Sequence, residues 1–214
     1  MGDLFDFWFE YKRVVPRGFS RILGKIAELS DRGIRLHYFT GNHDIWMFDY
    51  LTEETDIILY RHPAAITLKG KHFFLAHGDG MDEKDYTFRL LKRIFTNRFL
   101  QWFFARLHPN FAFWIANGWS KHSRMIHGVA PFKGEKEPMV QYARKYFGNQ
   151  GYDYLVFGHR HCMVDYPLNE ITHLIILGDW LSHFSYAVFD GNKLELKQFA
   201  VCSGQFAVGS GRSK

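Results

Sequence analysis

Residues 34–44 read IRLHYFTGNHD, a run of strand formers from Ile34 to Thr40 that delivers the chain into Gly41-Asn42-His43-Asp44. Its alternation and its aromatic and β-branched content predict a strand. Just before it, Phe19, Ile22, Leu23, Ile26 and Leu29 recur at helical spacing until Asp31-Arg32-Gly33 ends the helix. Helix followed by strand is α/β in character. A Gly-Asn-His-Asp loop at the C-terminal end of such a strand sits where layered α/β folds gather their ligand sites.

The same context recurs on either side. HFFLAH (72–77) runs into His77-Gly78-Asp79, and YLVF (154–157) runs into Gly158-His159-Arg160-His161. Gly2-Asp3 has the form of a strand end whose strand would lie before Met1. Taken singly, each has a plain explanation: Asp3 as a helix cap, Asn42 as a turn residue, any of the 12 histidines as a surface or core residue. Together, one carboxylate, one amide oxygen and three imidazoles form a mixed oxygen and nitrogen donor set. Such a set suits Mn, Fe or Zn and is too rich in nitrogen for Ca or Mg. The i, i+2 spacing of His159 and His161 on extended backbone puts both on one side, able to reach neighbouring ions. Two ions about 3.5 to 4 Å apart clamp the attacking and leaving oxygens of an in-line phosphoryl displacement.

Further strands are expected at AITL (65–68), hairpinned to HFFLAH across Lys69-Gly70-Lys71, at THLIIL (172–177), and in a closing hairpin of FSYAVF and KLELKQF about Asp190-Gly191-Asn192. Between them the texture changes. Leu91, Ile94, Phe95, Phe99, Trp102 and Phe103 fall on one face of an expected helix, and Pro109 separates this from a second aromatic helix around Phe111 to Trp119. Residues 81–145 are therefore expected to be a helical insertion in a core made of 1–80 and 146–214. Asp179 of LGDW, which follows the histidine pair, reads as a turn or sheet-end residue.

The 214 residues suffice for one sizeable core, and 18% aromatic content exceeds what such a core needs, so some rings should face a ligand or a lipid surface. A net charge of +5 favours a phosphate-bearing, nucleic-acid or anionic-membrane partner without choosing among them. Two cysteines are too few for a disulfide framework, which points to a reducing cytoplasm. The start has neither the positive nor the apolar region of a signal peptide. No stretch free of Lys, Arg, Asp and Glu, Leu107 to Ser120 being among the longest, is long enough to span a bilayer.

In their order, GD, GNHD, HGD and GHRH resemble the calcineurin-like metallophosphoesterases. The resemblance implies an α/β fold with a two-sheet β-sandwich flanked by helices, and a centre of two divalent ions, with Mn first and Fe or Zn as alternatives. By position, Asp3 resembles the carboxylate bridging both ions. Asn42, His77 and His159 resemble the ligands of one ion, and His161 a ligand of the other. His43 resembles the histidine that stabilises the transition state or protonates the leaving oxygen. That family also carries an Asp-x-His before the Gly-Asp. None stands there in this chain, so the expectation is a fold lacking its first strand or strands, with one ion left to Asp3 and His161 and activity in question.

The aromatic run Phe5, Phe7, Trp8, Phe9, with DYTFRLLKR and IANGWSKHS in the insertion, resembles UDP-2,3-diacylglucosamine diphosphatases of the lipid A pathway. These split a nucleotide-diphospho-lipid into UMP and a diacylated sugar phosphate and use a helical lid for the acyl chains. The resemblance implies a UDP-linked diacylated sugar as substrate, attacked by a metal-activated water. It also implies substrate contacts from Asn42, His43, Tyr86, Arg89, Lys121, Ser123 and Arg124, and peripheral attachment to the inner membrane. No nucleic acid is expected as partner. One departure is His43, where members of that diphosphatase family often carry Arg. The segment from Tyr86 to Arg124 contains no Asp or Glu, seven Lys or Arg and eleven aromatic residues. A groove for acyl chains with an anionic head explains both features, whereas a core helix pair explains only the rings. Two other readings remain open: another two-metal pyrophosphatase, phosphodiesterase or nuclease, and an inactive chain that binds lipid or membrane through the insertion. Oligomeric state is left open.

Overall fold

A computed structural model describes residues 1–126, 131–148 and 150–200, except the side chains of residues 117 and 119–126. Helix α1 (Ser20–Asp31) precedes strand β1 (His37–Phe39), which pairs in parallel with β2 (Ile58–Tyr60) across the short helix α2 (Tyr50–Glu54). A hairpin of β3 (Ala64–Leu68) and β4 (Lys71–Ala76) follows. Its turn places Lys69 and Gly70 at φ 46° and 84°, the left-handed pair that matches strand twist in tight hairpins.

Helices α3 (Tyr86–Thr96), α4 (Arg98–Phe104), α5 (Pro109–Ile126) and α6 (Pro138–Phe147) lead to β5 (Tyr154–Phe157), β6 (Met163–Pro167) and β7 (His173–Leu177). The hairpin of β8 (Ser185–Phe189) and β9 (Leu194–Gln198) closes the described chain. The central sheet runs β3-β4-β5-β7-β6, with β4, β5 and β7 mutually parallel and β3 and β6 antiparallel at its edges. This is an α/β fold with a mixed sheet flanked by helices.

Strand alternation explains how the sheet is covered. Leu155 and Phe157 point to one face, where Met139, Val140, Ala143 and Phe147 of α6 pack on them with Leu174 and Ile176. Val156 points to the other, joining Phe73, Ile175 and the Phe189, Leu194 and Leu196 side chains of the β8–β9 hairpin. A strand buried on both faces has no polar position to spare, which is why YLVF is uninterrupted. A second core gathers Phe5, Trp8, Tyr38, Met47, Leu51 and Ile57 beneath α1. The N-terminal rings Phe5, Trp8 and Phe9 are thus core residues, each at most 1% exposed.

Two expectations need adjustment. The helix expected across Leu91 to Phe103 breaks at Asn97, whose backbone is extended and whose side-chain oxygen accepts from the N–H groups of Phe99 and Leu100. An amide that caps the next helix competes with continuing the previous one. The expected boundary at 145 falls inside α6, which packs on the sheet. Helices α3 to α5 are held from one side: Phe104 and Phe113 meet Phe7, and the Trp46 indole donates to the Phe95 carbonyl at 2.5 Å. Their other side leaves Phe99, Trp102, Phe103, Phe111 and Trp114 between 51% and 72% exposed.

Candidate metal centre

Because β4, β5 and β7 are adjacent and parallel, the loops after them, bearing His77, Gly158–His161 and Asp179, emerge at one edge of the sheet. The Gly2-Asp3 turn and the loop after β1 reach the same place. A buried carboxylate fastens those two together: Asp44 accepts from the N–H groups of Leu4 at 3.0 Å and Gly41 at 2.6 Å, and from the Tyr38 hydroxyl. Asp3 in turn accepts from the His43 N–H at 2.9 Å.

Four of the five expected ligands converge. His77 Nε2 lies 3.1 Å from Asp3 Oδ2 and 3.2 Å from Asn42 Oδ1, and His159 Nδ1 lies 3.0 Å from the same Asn42 oxygen. The ligand atoms of Asp3, His77 and His159 all fall within 4.8 Å of one another. The other ring nitrogen of His77 donates to the Met1 carbonyl at 2.8 Å, so Nε2 is the atom presented to the centre. The fit is close around these groups. A Cβ at Gly41 would collide with the Asp3 carboxylate, and one at Gly2 with His77. Asp3 and His159 hold positive φ, 55° and 60°, a conformation that costs non-glycine residues energy and persists where surroundings enforce it.

Without an ion, Asp3 and His77 compensate each other's charge. Burial alone would raise the Asp3 carboxyl, but the His77 imidazolium beside it, helped by His43, holds it well below the usual carboxylate range. Burial disfavours charge on His77, yet Asp3 outweighs this and raises its pKa above the ordinary histidine value. Burial, reinforced by the charge on His77, pushes His159 down to about 4. A carboxylate, an amide oxygen and two imidazoles crowded on one point make a donor set suited to a first-row transition ion.

His161 stands apart from this group: its Nδ1 lies 3.4 Å from Asp179 Oδ2, and its side chain is half exposed. His43 is tethered through Nδ1 to the Asp6 carbonyl at 3.0 Å. A cavity of about 830 Å³ borders the centre, lined by Gly41, His77 and Asp79 from the motif loops and by Lys92, Arg98 and Gln101 from α3 and α4.

The chain is 40% identical over 216 aligned positions to the UDP-2,3-diacylglucosamine hydrolase of Porphyromonas gingivalis (strain ATCC BAA-308 / W83), an alignment that covers 92% of this chain and 81% of that protein. It belongs to the UDP-2,3-diacylglucosamine hydrolase family of metallophosphoesterases. The enzymes so named from Aeromonas salmonicida (strain A449) and Neisseria meningitidis serogroup B (strain ATCC BAA-335 / MC58) are 27% and 26% identical over 92% and 87% of the chain. No family model matches. Membership makes the chain a hydrolase of a metal-dependent family.

Of the other expected contacts in this hydrolase, Arg89 stacks its guanidinium 4.7 Å over the exposed Tyr86 ring and donates to the Glu83 carbonyl at 2.7 Å. The side chains of Lys121, Ser123 and Arg124 lie outside those described. Three nearby residues had no assigned role in the sequence reading. Lys92 pairs with Asp79 at 2.5 Å, the Phe88 ring sits 6.1 Å from His159, and Asp44 locks the GD and GNHD turns together. Of these, GNHD contained Asp44. The partners of Lys92 and Phe88 lie on another element, and no local spacing signals that.

Proposed function

We propose that this chain hydrolyses the diphosphate bond of UDP-2,3-diacylglucosamine, yielding UMP and 2,3-diacylglucosamine 1-phosphate. The observation that carries the reading is the convergence of Asp3, Asn42, His77 and His159 beside a cavity that α3 and α4 help to line. The 40% identity to a hydrolase of that name supports the substrate.

In this reading Asn42, His77 and His159 would hold one ion and His161 the second, with Asp3 available to both. Mn is the first choice, with Fe or Zn possible. When bound, such a pair supplies Lewis acidity toward phosphoryl oxygens and lowers the pKa of water. The protein's own residues divide the remaining work. Held through Nδ1–H by the Asp6 carbonyl, His43 can donate a proton or hydrogen bond from Nε2 to the leaving phosphate oxygen when it is in the imidazolium form. Lys92 and Arg98 face the cavity and offset diphosphate charge, with Arg89 and Tyr86 at the start of α3, and Lys121, Ser123 and Arg124 on α5, as further contacts.

The exposed rings of α4 and α5 receive the acyl chains, so α3 to α5 act as a lid on a core of two facing sheets, the second including the β8–β9 hairpin. No helix among the described residues is long and apolar enough to cross a membrane, and the chain meets the inner-membrane surface by the same rings. The test is release of UMP from a diacylated UDP-sugar by the purified, Mn-loaded chain, with a small chromogenic phosphodiester as control. Turnover of the lipid substrate that rises with acyl length is expected. Preference for the small ester, or inhibition by single-stranded DNA stronger than by the lipid, would favour the phosphodiesterase or nuclease reading.

A further inference from the structure

The Asp179 side chain is only 6% exposed and its two oxygens do different things. Oδ1 accepts the N–H groups of Leu181 at 2.9 Å, Ser182 at 2.6 Å and His183 at 3.0 Å, which builds the turn after β7 and fits the sheet-end role read from LGDW. Oδ2 faces away from that backbone toward two imidazoles, His183 Nδ1 at 3.0 Å and His161 Nδ1 at 3.4 Å, with the Ser182 hydroxyl at 3.0 Å. The turn needs only Oδ1. The parallel pairing of β5 and β7 brings this carboxylate beside the Gly158–His161 loop.

We infer that Asp179 is a positioning residue for His161, holding its ring by the Nδ1–H so that Nε2 is the unprotonated nitrogen turned outward to ligate the second ion. Among the five expected ligands His161 is the one outside the converged group, and its ring is half exposed, so it needs such a tether more than buried His77 or His159. Histidine ligands ordinarily donate their second ring nitrogen to a carboxylate or carbonyl, and loss of that partner weakens the metal about 10- to 100-fold. His77 already meets this rule through the Met1 carbonyl. The inference rests on the proposed role of His161.

The experiment compares Asp179→Asn, His161→Ala and the double variant of the full chain. Asn keeps an Oδ1 for the turn but replaces the second oxygen with an NH2 that cannot accept from Nδ1. Mn titration should show that both single variants weaken the same class of site by about 10- to 100-fold and leave the tighter site intact, with no further loss in the double variant. In the metal-free protein, long-range proton–nitrogen spectra should show His161 in the Nδ1–H tautomer, and Asp179→Asn should abolish that preference at an unchanged Tm. Weakening by His161→Ala but not by Asp179→Asn would overturn the inference and leave the metal assignment standing. No effect of His161→Ala would overturn both. A lowered Tm with loss at both sites, or further weakening in the double variant, would mean that Asp179 acts through the turn or His183, and would also overturn it.

Discussion

Gly41 shows how tightly single atoms define the centre. Its α-hydrogen faces the Asp3 carboxylate, and the smallest side chain would occupy that space. Gly41→Ala should therefore displace Asp3 and lower Mn affinity by at least about tenfold while the far-UV circular dichroism is kept, as expected when support around a ligand is lost. The protons also have a consequence. At pH 6 His77, raised above its ordinary value, carries a proton, whereas His159, at about 4, does not. Metal entry must displace the His77 proton, so calorimetric titration at pH 6 in buffers of different ionisation heat should report release of about one proton, and affinity should fall as pH is lowered further. Release of two would mean that a second liganding histidine is also charged. His43 works on a different atom: His43→Ala should cut turnover by about 10² to 10⁴ while metal content stays unchanged. Asn42, His77 and His159 were legible in the sequence because each follows or adjoins a glycine at the end of an apolar run, and Asp3 because it follows Gly2 in the same form. Asp44, Lys92 and the second role of Asp179 were not, because their meaning lies in partners such as Leu4, Asp79 and His161 that only the fold brings near.

At the scale of elements, the strongly patterned ones were readable, and β2 and β6 were not. YLVF is β5 to the residue, since burial on both faces leaves an unbroken apolar run. By contrast β6, Met163–Pro167, is an edge strand ending in Pro with its alternate residues exposed, and it reads as loop. The three residues of β2 give too little pattern to register. The division of α3 from α4 turns on one side chain. Loss of an Asn cap costs about 1 kcal/mol, so Asn97→Ala should lower Tm by about 2 to 4 °C, the shift that size of loss brings in a chain of this length. It should also change lipid-substrate turnover more than small-ester turnover, because the break at Asn97 sets the angle at which Phe99 and Trp102 leave α3. Equal changes in both activities would mean that the break serves stability alone.

At the scale of the molecule, acid-free basic charge and exposed rings coincide in one segment. The chain carries +5 overall, yet from Tyr86 to Arg124 it has seven basic residues and no acidic one, and this same segment exposes Phe99, Trp102, Phe103, Phe111 and Trp114. Exposed rings scattered singly need no explanation, but a cluster of this size on consecutive helices does. Arg106 lies 4.3 Å over the Trp102 ring, so cation and ring face the surroundings together, as at a headgroup boundary. The candidate centre, by contrast, is held by Asp44, Asp3 and the strand ends. The two parts should therefore separate experimentally. Replacing Phe99 and Trp102 by Ser should weaken binding to vesicles containing anionic lipid and lower turnover of the diacylated UDP-sugar at least about tenfold, since each acyl methylene buried against the rings contributes about 0.8 kcal/mol. Hydrolysis of a small chromogenic phosphodiester and the Mn content should stay unchanged. Raising salt should weaken the vesicle binding that remains in this variant, because the basic side chains then act alone. Equal loss on both substrates would show that Phe99 and Trp102 support the centre itself, and unchanged vesicle binding would remove the rings from the membrane contact.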